Sequence, residues 1–283
     1  MASLQRFFKR EPRAPLEYIK SFRLRAWIGA VLLFLYAPLL VLIVFSFNDS
    51  KRTIVWKGFT FKWYSKVFEN EGLREALGNS LFIAVACTAV SVLLGTLAAF
   101  VLWRFKFPLK GLLESGLNLP IVVPEICMGV GVLMFFAWLK WPNDMPWPLN
   151  LSQIIIAHIT FAFPFVAIVV RARLESFNKE YEMAALDLGA SQWKAFKDVI
   201  VPHMAPGIVA GALLAFTLSL DDFVITFFAS GPGTVTFPIK VYSMVRFSVT
   251  PEVNAASTII ILITVLATVA AMRLQNPPKP TTN

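Results

Sequence analysis

The sequence is poor in charge, since Asp, Glu, Lys and Arg make up only 15% of its 283 residues. Soluble domains carry about 25%, and the deficit is matched here by a hydrophobic content of 57%. Acids are scarcer than bases, which gives a formal net charge of +9. A basic balance can indicate nucleic-acid binding, but long apolar runs separate the charged segments. The composition therefore predicts a membrane protein.

Two further absences narrow the range of functions. The only cysteines, Cys87 and Cys127, lie within apolar runs, which argues against a disulfide framework and a metal site. No phosphate-binding loop of the form GxxxxGK[ST] occurs. We expect that the chain is not an enzyme, that it binds no cofactor or metal, and that it does not hydrolyse ATP itself.

Six apolar runs are each long enough to cross about 30 Å of hydrocarbon. They cover approximately residues 26–47, 79–103, 112–139, 153–171, 205–229 and 254–272. The first is too long for a signal-peptide core and has no small-residue cleavage site after it. The predicted fold is all-α and integral to the membrane. A transmembrane domain over residues 26–273 follows a basic segment, 1–25, and precedes a disordered tail, 274–283.

Basic residues are distributed unevenly between the segments that join these spans. If residues 1–25 are cytoplasmic, most of the lysine and arginine lies on the cytoplasmic side, as the positive-inside rule requires. Both termini and residues 178–206 then face the cytoplasm. The external segment 48–78 is also basic, and its aromatic residues predict a segment that lies on the membrane surface.

Residues 178–206 form a polar segment between the fourth and fifth predicted spans. Asn178 is a good N-cap and Gly189 can supply a left-handed stop, so a short helix is predicted over residues 179–188. Ser191 can cap a second helix that runs to Pro202. One face of the first helix is nearly flat, because it consists of Tyr181, Ala184, Ala185 and Leu188. Such a face suits docking into a groove on another protein, and packing on its own chain is the alternative.

Two spans carry small residues at four-residue spacing. The second span has Cys87, Ser91, Gly95 and Ala99, and the fifth has Gly207, Gly211, Ala215 and Ser219. Small residues let helix backbones approach closely, since lipid offers no hydrophobic drive for association. The stripes predict close helix packing, either in a transporter core or simply within the chain.

Ionisable groups within the spans indicate a function or a specific partner, because inserting each one into the membrane costs about 2.5–3.5 kcal/mol of free energy. They are Asp221, Asp222, Glu125 and His158. Counted at about 1.5 Å per residue, all four lie at similar depth in the outer half of the membrane, where they could share a cavity. The two aspartates point about 100° apart on one helix, so we expect only one to face that cavity.

The surroundings of these acids suit a cationic substrate. Glu125 follows Pro120 and Pro124, one turn apart, which indicates a broken helix beside a pathway. Nearby aromatic residues such as Phe161 could add cation–π contacts to ion pairing. The pathway candidates are Asp221, Asp222, Glu125, Phe161 and His158. The alternatives are an ion pair or a cap for the aspartates, backbone pairing for Glu125, and packing for His158 and Phe161.

The cytoplasmic segment resembles a known motif. Ala184-Ala185, Gly189-Ala190 and Val199-Ile200-Val201-Pro202 are similar to the EAA…G…I.LP loop of binding-protein-dependent ABC importer permeases. In that family the loop is the coupling helix that inserts into the ATPase subunit. The resemblance implies ATPase-coupling roles for Tyr181, Glu182, Ala184, Ala185, Asp187 and Gly189. Met183 stands where the family has glutamate, and Glu182 lies one position earlier.

The fifth span sharpens the resemblance. The string from Ser219 to Ile225, followed by Gly231-Pro232-Gly233, is similar to the signature of the spermidine/putrescine class of these permeases. Asn79-Ser80 and Pro124-Glu125 resemble its putrescine-type second subunit. The resemblance implies a type I ABC importer permease of six helices in a bacterial inner membrane, importing putrescine or spermidine. It also implies a second homologous permease, a periplasmic polyamine-binding protein and an ATPase dimer that binds ATP-Mg.

Three other functions fit parts of the sequence. A permease for another cationic or small organic solute would share the family motif. A proton-coupled secondary transporter could relay protons through the buried acids, but it would leave the coupling helix without a task. An intramembrane aspartyl hydrolase would need a shared-proton pair, which two adjacent aspartates on one helix cannot form.

Overall fold

A computed structural model describes residues 22–50, 55–142, 145–247 and 250–275. Regular structure in these residues is helical, with one isolated β-bridge between Asn48 and Phe59. Most of the predicted basic segment and of the predicted disordered tail lies outside the described residues. Where they are described, residues 22–25 and 274–275 are helical, so the flanking helices are longer than predicted.

Twelve α-helices follow one another along the described chain. They are α1 Phe22–Phe45, α2 Lys62–Glu69, α3 Glu71–Arg104, α4 Lys110–Val122, α5 Glu125–Trp138, α6 Ser152–Glu175, α7 Lys179–Asp187, α8 Gln192–Ala195, α9 Val201–Asp221, α10 Val224–Ala229, α11 Phe237–Phe247 and α12 Pro251–Gln275. A 3₁₀ turn, Leu149–Leu151, leads into α6, and a π-helical turn, Phe196–Ile200, joins α8 to α9. Five helical segments are long and apolar enough to cross a membrane, and the α4–α5 pair makes a sixth if it counts as one bent span.

The small-residue stripes pack within the chain. Helix α6 lies against both α3 and α9, and all eight stripe residues are buried. A Cβ on Gly95 would lie 2.7 Å from Val166 Cβ and 2.8 Å from the carbonyl oxygen of Phe163. A Cβ on Gly211 would lie 3.0 Å from Val166 Cγ1. Only glycine allows α3 and α9 to approach α6 this closely, so the stripes set the core of the molecule.

The third predicted span is broken rather than straight. Helices α4 and α5 meet at an angle of 110° around Val123 and Pro124. Val123 is extended, with ψ 130°, as expected for a residue that precedes proline. The predicted break at the prolines is confirmed.

The fifth predicted span is also broken. Helix α9 ends at Asp221, Asp222 is extended with ψ 125°, and the short helix α10 follows. One continuous helix over residues 205–229 is therefore wrong. The break arises because the Asp222 carboxylate accepts the backbone amides of Ile225 and Thr226 and so starts a new helix.

The polar segment 178–206 runs into α9 without a break after Ser191. The Ser191 hydroxyl accepts the backbone N–H of Lys194 at 3.3 Å, which confirms the predicted cap. The predicted end at Pro202 is wrong. Pro202 follows the π-helical turn as the second residue of α9, and the helix continues past it.

The segment between α1 and α2 is organised by one buried side-chain amide. Asn48 donates from Nδ2 to the carbonyl of Val55 at 2.8 Å and accepts the backbone N–H of Lys57 at 2.9 Å. The backbone carbonyl of Asn48 accepts the indole N–H of Trp63 at 2.7 Å. These bonds fold the segment back on the C-terminal end of α1, and α2 packs against α12. That the segment lies on the membrane surface stays a prediction.

Candidate functional site

Helix α7 has the termini predicted from the sequence. The Asn178 side chain accepts the backbone N–H of Glu180 at 3.0 Å, and acidic residues fill the first turn. Gly189 has φ +86°, a conformation that glycine adopts without strain. The amide of Ala190 reaches back to the carbonyl of Ala185 at 3.0 Å and closes the helix end.

Most of α7 is open to its surroundings. Tyr181 is 63% exposed and Leu188 is 90% exposed. Ala184, Asp187 and Gly189 are exposed as well. A cleft of about 260 Å³, lined on one side by Ala185 and Leu188, lies between this helix and α8. The described chain therefore leaves most of the flat face uncovered.

Glu182 is the exception, because it is the buried residue of α7. Its carboxylate accepts two hydrogen bonds from the Arg104 guanidinium, at 2.7 and 2.8 Å. Arg104 is the last residue of α3. Glu182 thus contacts its own chain, and the structure does not support a direct contact of this side chain with an ATPase.

Asp222 lies inside the chain at the break between α9 and α10, with a side chain only 6% exposed. Its Oδ2 accepts both the backbone N–H and the hydroxyl of Thr226, each at 2.8 Å. Its Oδ1 accepts the backbone N–H of Ile225 at 3.3 Å. These bonds use the carboxylate as a helix cap, so Asp222 does not face an open pathway.

His158 completes this buried group. Its Nε2 lies 2.8 Å from Thr226 Oγ1 and 3.3 Å from Asp222 Oδ2, and its Nδ1 lies 2.8 Å from Ser219 Oγ. Because the Thr226 hydroxyl donates to Asp222, the Nε2–H donates to Thr226, and Nδ1 forms a second hydrogen bond with the Ser219 hydroxyl. The imidazole therefore ties α6 to both sides of the α9–α10 break. It is a packing residue with satisfied hydrogen bonds rather than part of an open pathway.

Asp221 and Glu125 are both exposed, in contrast to the buried Asp222 and His158. Asp221 ends α9, and Glu125 begins α5 directly after the Pro124 bend. Helix α5 packs on α10, which begins three residues after Asp221, so the two acids belong to one region of the fold. Among the described residues, neither forms an ion pair with a cation. The structure thus brings all four predicted ionisable groups to one region but leaves only two of them open.

Phe161 does not line an open surface. It is 7% exposed and packs in a core cluster with Ile83, Ile154 and Ile225. Its ring contacts that of Phe165 edge to face, with centroids 5.3 Å apart. The predicted place of Phe161 on the substrate pathway is not supported, because the residue fills the space between α6 and α10.

Other aromatic residues form a cluster around Phe223, which follows Asp221 by two positions in the sequence. The rings of Phe223 and Tyr242 are 4.9 Å apart, and those of Phe223 and Phe227 are 5.7 Å apart. Phe227 and Tyr242 are each 53% exposed. The sequence neighbours of Asp221 could have pointed to the two phenylalanines. Tyr242 could not have been identified from the sequence, because it lies on α11 and meets Phe223 only in the folded chain.

Comparison with known families identifies the family of the chain that carries α7 and the two broken spans. Residues 91–277 match the model of the binding-protein-dependent transport system inner membrane component. The chain belongs to this family. It is a multi-pass permease subunit of an ABC importer, which sets aside the hydrolase and the secondary transporter as interpretations.

Relatives of the permease support the same conclusion. It is 41% identical over 229 residues to the putrescine transport system permease protein PotI of Escherichia coli K12, covering 81% of this chain and 82% of the relative. It is 38% identical over 242 residues to the spermidine/putrescine transport system permease protein PotC of the same strain, covering 86% and 89%.

Solved structures confirm the fold of the permease. A bacterial ABC transporter that imports the acidic polysaccharide alginate superposes with a TM-score of 0.69 at 16% identity, over 93% of this chain and 96% of that one. The methionine ABC transporter MetNI gives a TM-score of 0.57 at 17% identity, over 73% and 97%. The all-α, type I ABC importer fold predicted from the sequence is confirmed.

Proposed function

We propose that this permease imports polyamines, with putrescine or spermidine as the substrate. The observation that carries the proposal is the pair of exposed acids, Asp221 and Glu125, which form no ion pair among the described residues and lie at the two breaks that α5 and α10 bring together. Exposed carboxylates within a transmembrane domain favour a cation over an anion. The names of the relatives, which specify putrescine and spermidine, support the same class of substrate.

The two open acids are placed to hold ammonium groups during passage. Asp221 and Glu125 supply the negative charge. Phe227 and Tyr242 present exposed rings in the cluster around Phe223, and such rings attract ammonium groups by cation–π interaction. Asp222 and His158 do not contact the substrate in this proposal. They stabilise the α9–α10 break, at which Asp221 is exposed.

The permease works with other subunits in this proposal. A periplasmic binding protein delivers the polyamine, a second homologous permease completes the pathway, and an ATPase dimer binds ATP-Mg. This chain binds no cofactor. Both termini and α7 face the cytoplasm of a bacterial cell, and the exposed face of α7, with Tyr181, Ala184, Ala185, Asp187 and Gly189, docks on the ATPase.

Reconstitution of the whole importer tests the proposal. ATP hydrolysis is measured in proteoliposomes with binding protein that is empty, loaded with putrescine or loaded with spermidine. We expect the polyamine-loaded protein to stimulate hydrolysis. If binding protein loaded with a different solute stimulates hydrolysis and the polyamine-loaded protein does not, the chain is an importer subunit for another substrate. Polyamine uptake driven by a proton gradient without ATP would contradict the whole proposal.

A pair of variants at Gly189 tests the coupling surface in the same assay. Gly189→Val places a β-branched residue at φ +86° and is expected to abolish stimulated hydrolysis. Gly189→Asn is the control, because asparagine tolerates this conformation, and it should retain stimulation. Equal stimulation in both variants would contradict a coupling role for this turn.

A further inference from the structure

The bond between Arg104 and Glu182 joins two elements that are 78 residues apart in the chain. The guanidinium meets the carboxylate with two parallel N–H···O bonds, at 2.7 and 2.8 Å. Such a fork fixes direction as well as distance, which a single bond from lysine does not. Glu182 is only 8% exposed, so water competes little for its oxygens.

Further contacts surround this pair. The ammonium group of Lys179 lies 5.8 Å from the centroid of the Trp103 ring, and the Phe177 ring lies 5.8 Å from the same ring. Phe177 also packs on His203 of α9, with centroids 5.1 Å apart. The first half of α7 therefore rests on the end of α3, although the backbone connects α7 only to α6 and α8.

Helix α3 reaches from this contact to the other side of the molecule. Its 34 residues span about 50 Å at 1.5 Å each. Near its outer end, Asn79 donates to the carbonyl of Val235 at 3.0 Å, and Ser80 accepts the backbone N–H of Phe237 at 2.8 Å. Phe237 begins α11, which carries Tyr242. One continuous helix thus links α7 to the helix that carries Tyr242.

We propose that Arg104 is a positioning residue for coupling: it locks α7 to α3 through Glu182, so that movement of α7 reaches the outer side of the permease along α3. The proposal rests on the coupling role proposed above for α7. It assigns Glu182 a task within its own chain, and it explains why this acid is buried while its neighbours on α7 are exposed.

Charge reversal with rescue tests the lock in the assembled importer. Arg104→Glu and Glu182→Arg each place like charges together, and each is expected to lower polyamine-stimulated hydrolysis about tenfold, the size expected when a charged hydrogen bond is lost. The double variant Arg104→Glu/Glu182→Arg restores opposite charges and should recover most of the stimulation. Arg104→Lys keeps the charge but loses the fork, so it should fall between wild type and the reversals.

Arg171 offers a matched control. It forms ion pairs with Glu114 at 2.9 Å and with Glu175 at 3.0 Å, close in sequence to α7 but without touching it. Arg171→Glu should therefore leave stimulated hydrolysis within about twofold of wild type, as is usual for exposed ion pairs.

Hydrogen–deuterium exchange over residues 179–188 separates this proposal from the polyamine assignment, because it needs no substrate. Both single reversals should raise exchange in this segment, and the double variant should return it to the wild-type level. If wild type ignores polyamines but exchange behaves in this way, the substrate proposal fails and the lock stands. Unchanged exchange in the single reversals, or no rescue in the double variant, would overturn the lock.

Discussion

The two broken spans carry acids in opposite circumstances. At the α4–α5 break the backbone is turned by Pro124, and Glu125 is left exposed at the start of the next helix. At the α9–α10 break no proline is present, and the Asp222 carboxylate turns the backbone by capping α10. The Asp222 carboxylate is buried and hydrogen-bonded within the chain, whereas the neighbouring Asp221 is exposed.

This difference separates an acid that holds the backbone from acids that remain open. A carboxylate with three hydrogen bonds to its own chain has little capacity left for a substrate. An exposed carboxylate without an ion pair among the described residues keeps that capacity. Each break therefore presents one open acid, Glu125 from one and Asp221 from the other, and the two breaks meet because α5 packs on α10.

Removal of the Asp222 cap should have the largest effect on stability. Asp222→Ala deletes the cap of α10 and leaves the buried Thr226 and His158 short of a partner. We expect a loss of about 3 kcal/mol, from the cap and the unpaired polar groups together. Thermal unfolding in detergent measures it, with Asp221→Ala as the matched control. Equal stability of the two variants would contradict the division between the aspartates.

Replacement of His158 should have the next largest effect. His158→Leu removes the bridge from α6 to the α9–α10 break and leaves the buried Ser219 hydroxyl without this partner. The expected loss is about 2 kcal/mol. His158→Gln, which can donate and accept, should lose less in the same unfolding assay. Unfolding of His158→Leu at the wild-type temperature would show that the buried network contributes nothing.

The contact between the two breaks can be tested at Gly129. A Cβ there would lie 2.6 Å from Phe228 Cδ2, whereas a Cβ on Gly131 in the same helix would meet nothing within 4 Å. Gly129→Ala should therefore destabilise the permease by about 1 kcal/mol through overpacking. Gly131→Ala should be neutral or slightly stabilising. Identical unfolding temperatures for the two variants would show that α5 and α10 do not pack as described.

The smallest effect on stability should come from the open acids. Asp221→Asn and Glu125→Gln change exposed groups without a described ion pair, so the unfolding free energy should stay within about 0.5 kcal/mol of wild type. Thermal unfolding in detergent checks this, with Asp222→Asn as the comparison. A large loss in Asp221→Asn would mean that the acid has a structural task and is not free for a substrate.

The sequence revealed the parts of this arrangement that depend on neighbouring residues. Asn178 and Gly189 act through local geometry, and the predicted helix cap and left-handed turn are confirmed. The spans were placed correctly by hydrophobicity, but the break at Asp222 was missed because a cap looks like any other polar residue in a hydrophobic run.

Contacts between distant segments were not visible in the sequence. The Arg104–Glu182 pair, the place of Tyr242 beside Phe223 and the burial of Phe161 all depend on which helices pack together. The choice between Asp221 and Asp222 depended on the same information. Helical periodicity showed that the two side chains diverge, and only the position of α6 showed which one points inward.

The most direct test measures ATP-driven putrescine uptake into proteoliposomes by importers that carry Asp221→Asn or Asp222→Asn, normalised to the folded fraction. We predict that Asp221→Asn lowers uptake about tenfold at wild-type stability, because a charged contact with the substrate is lost. Asp222→Asn should lose stability but keep uptake per folded molecule. Wild-type uptake by Asp221→Asn, together with a specific loss of uptake in a stable Asp222→Asn variant, would contradict the account.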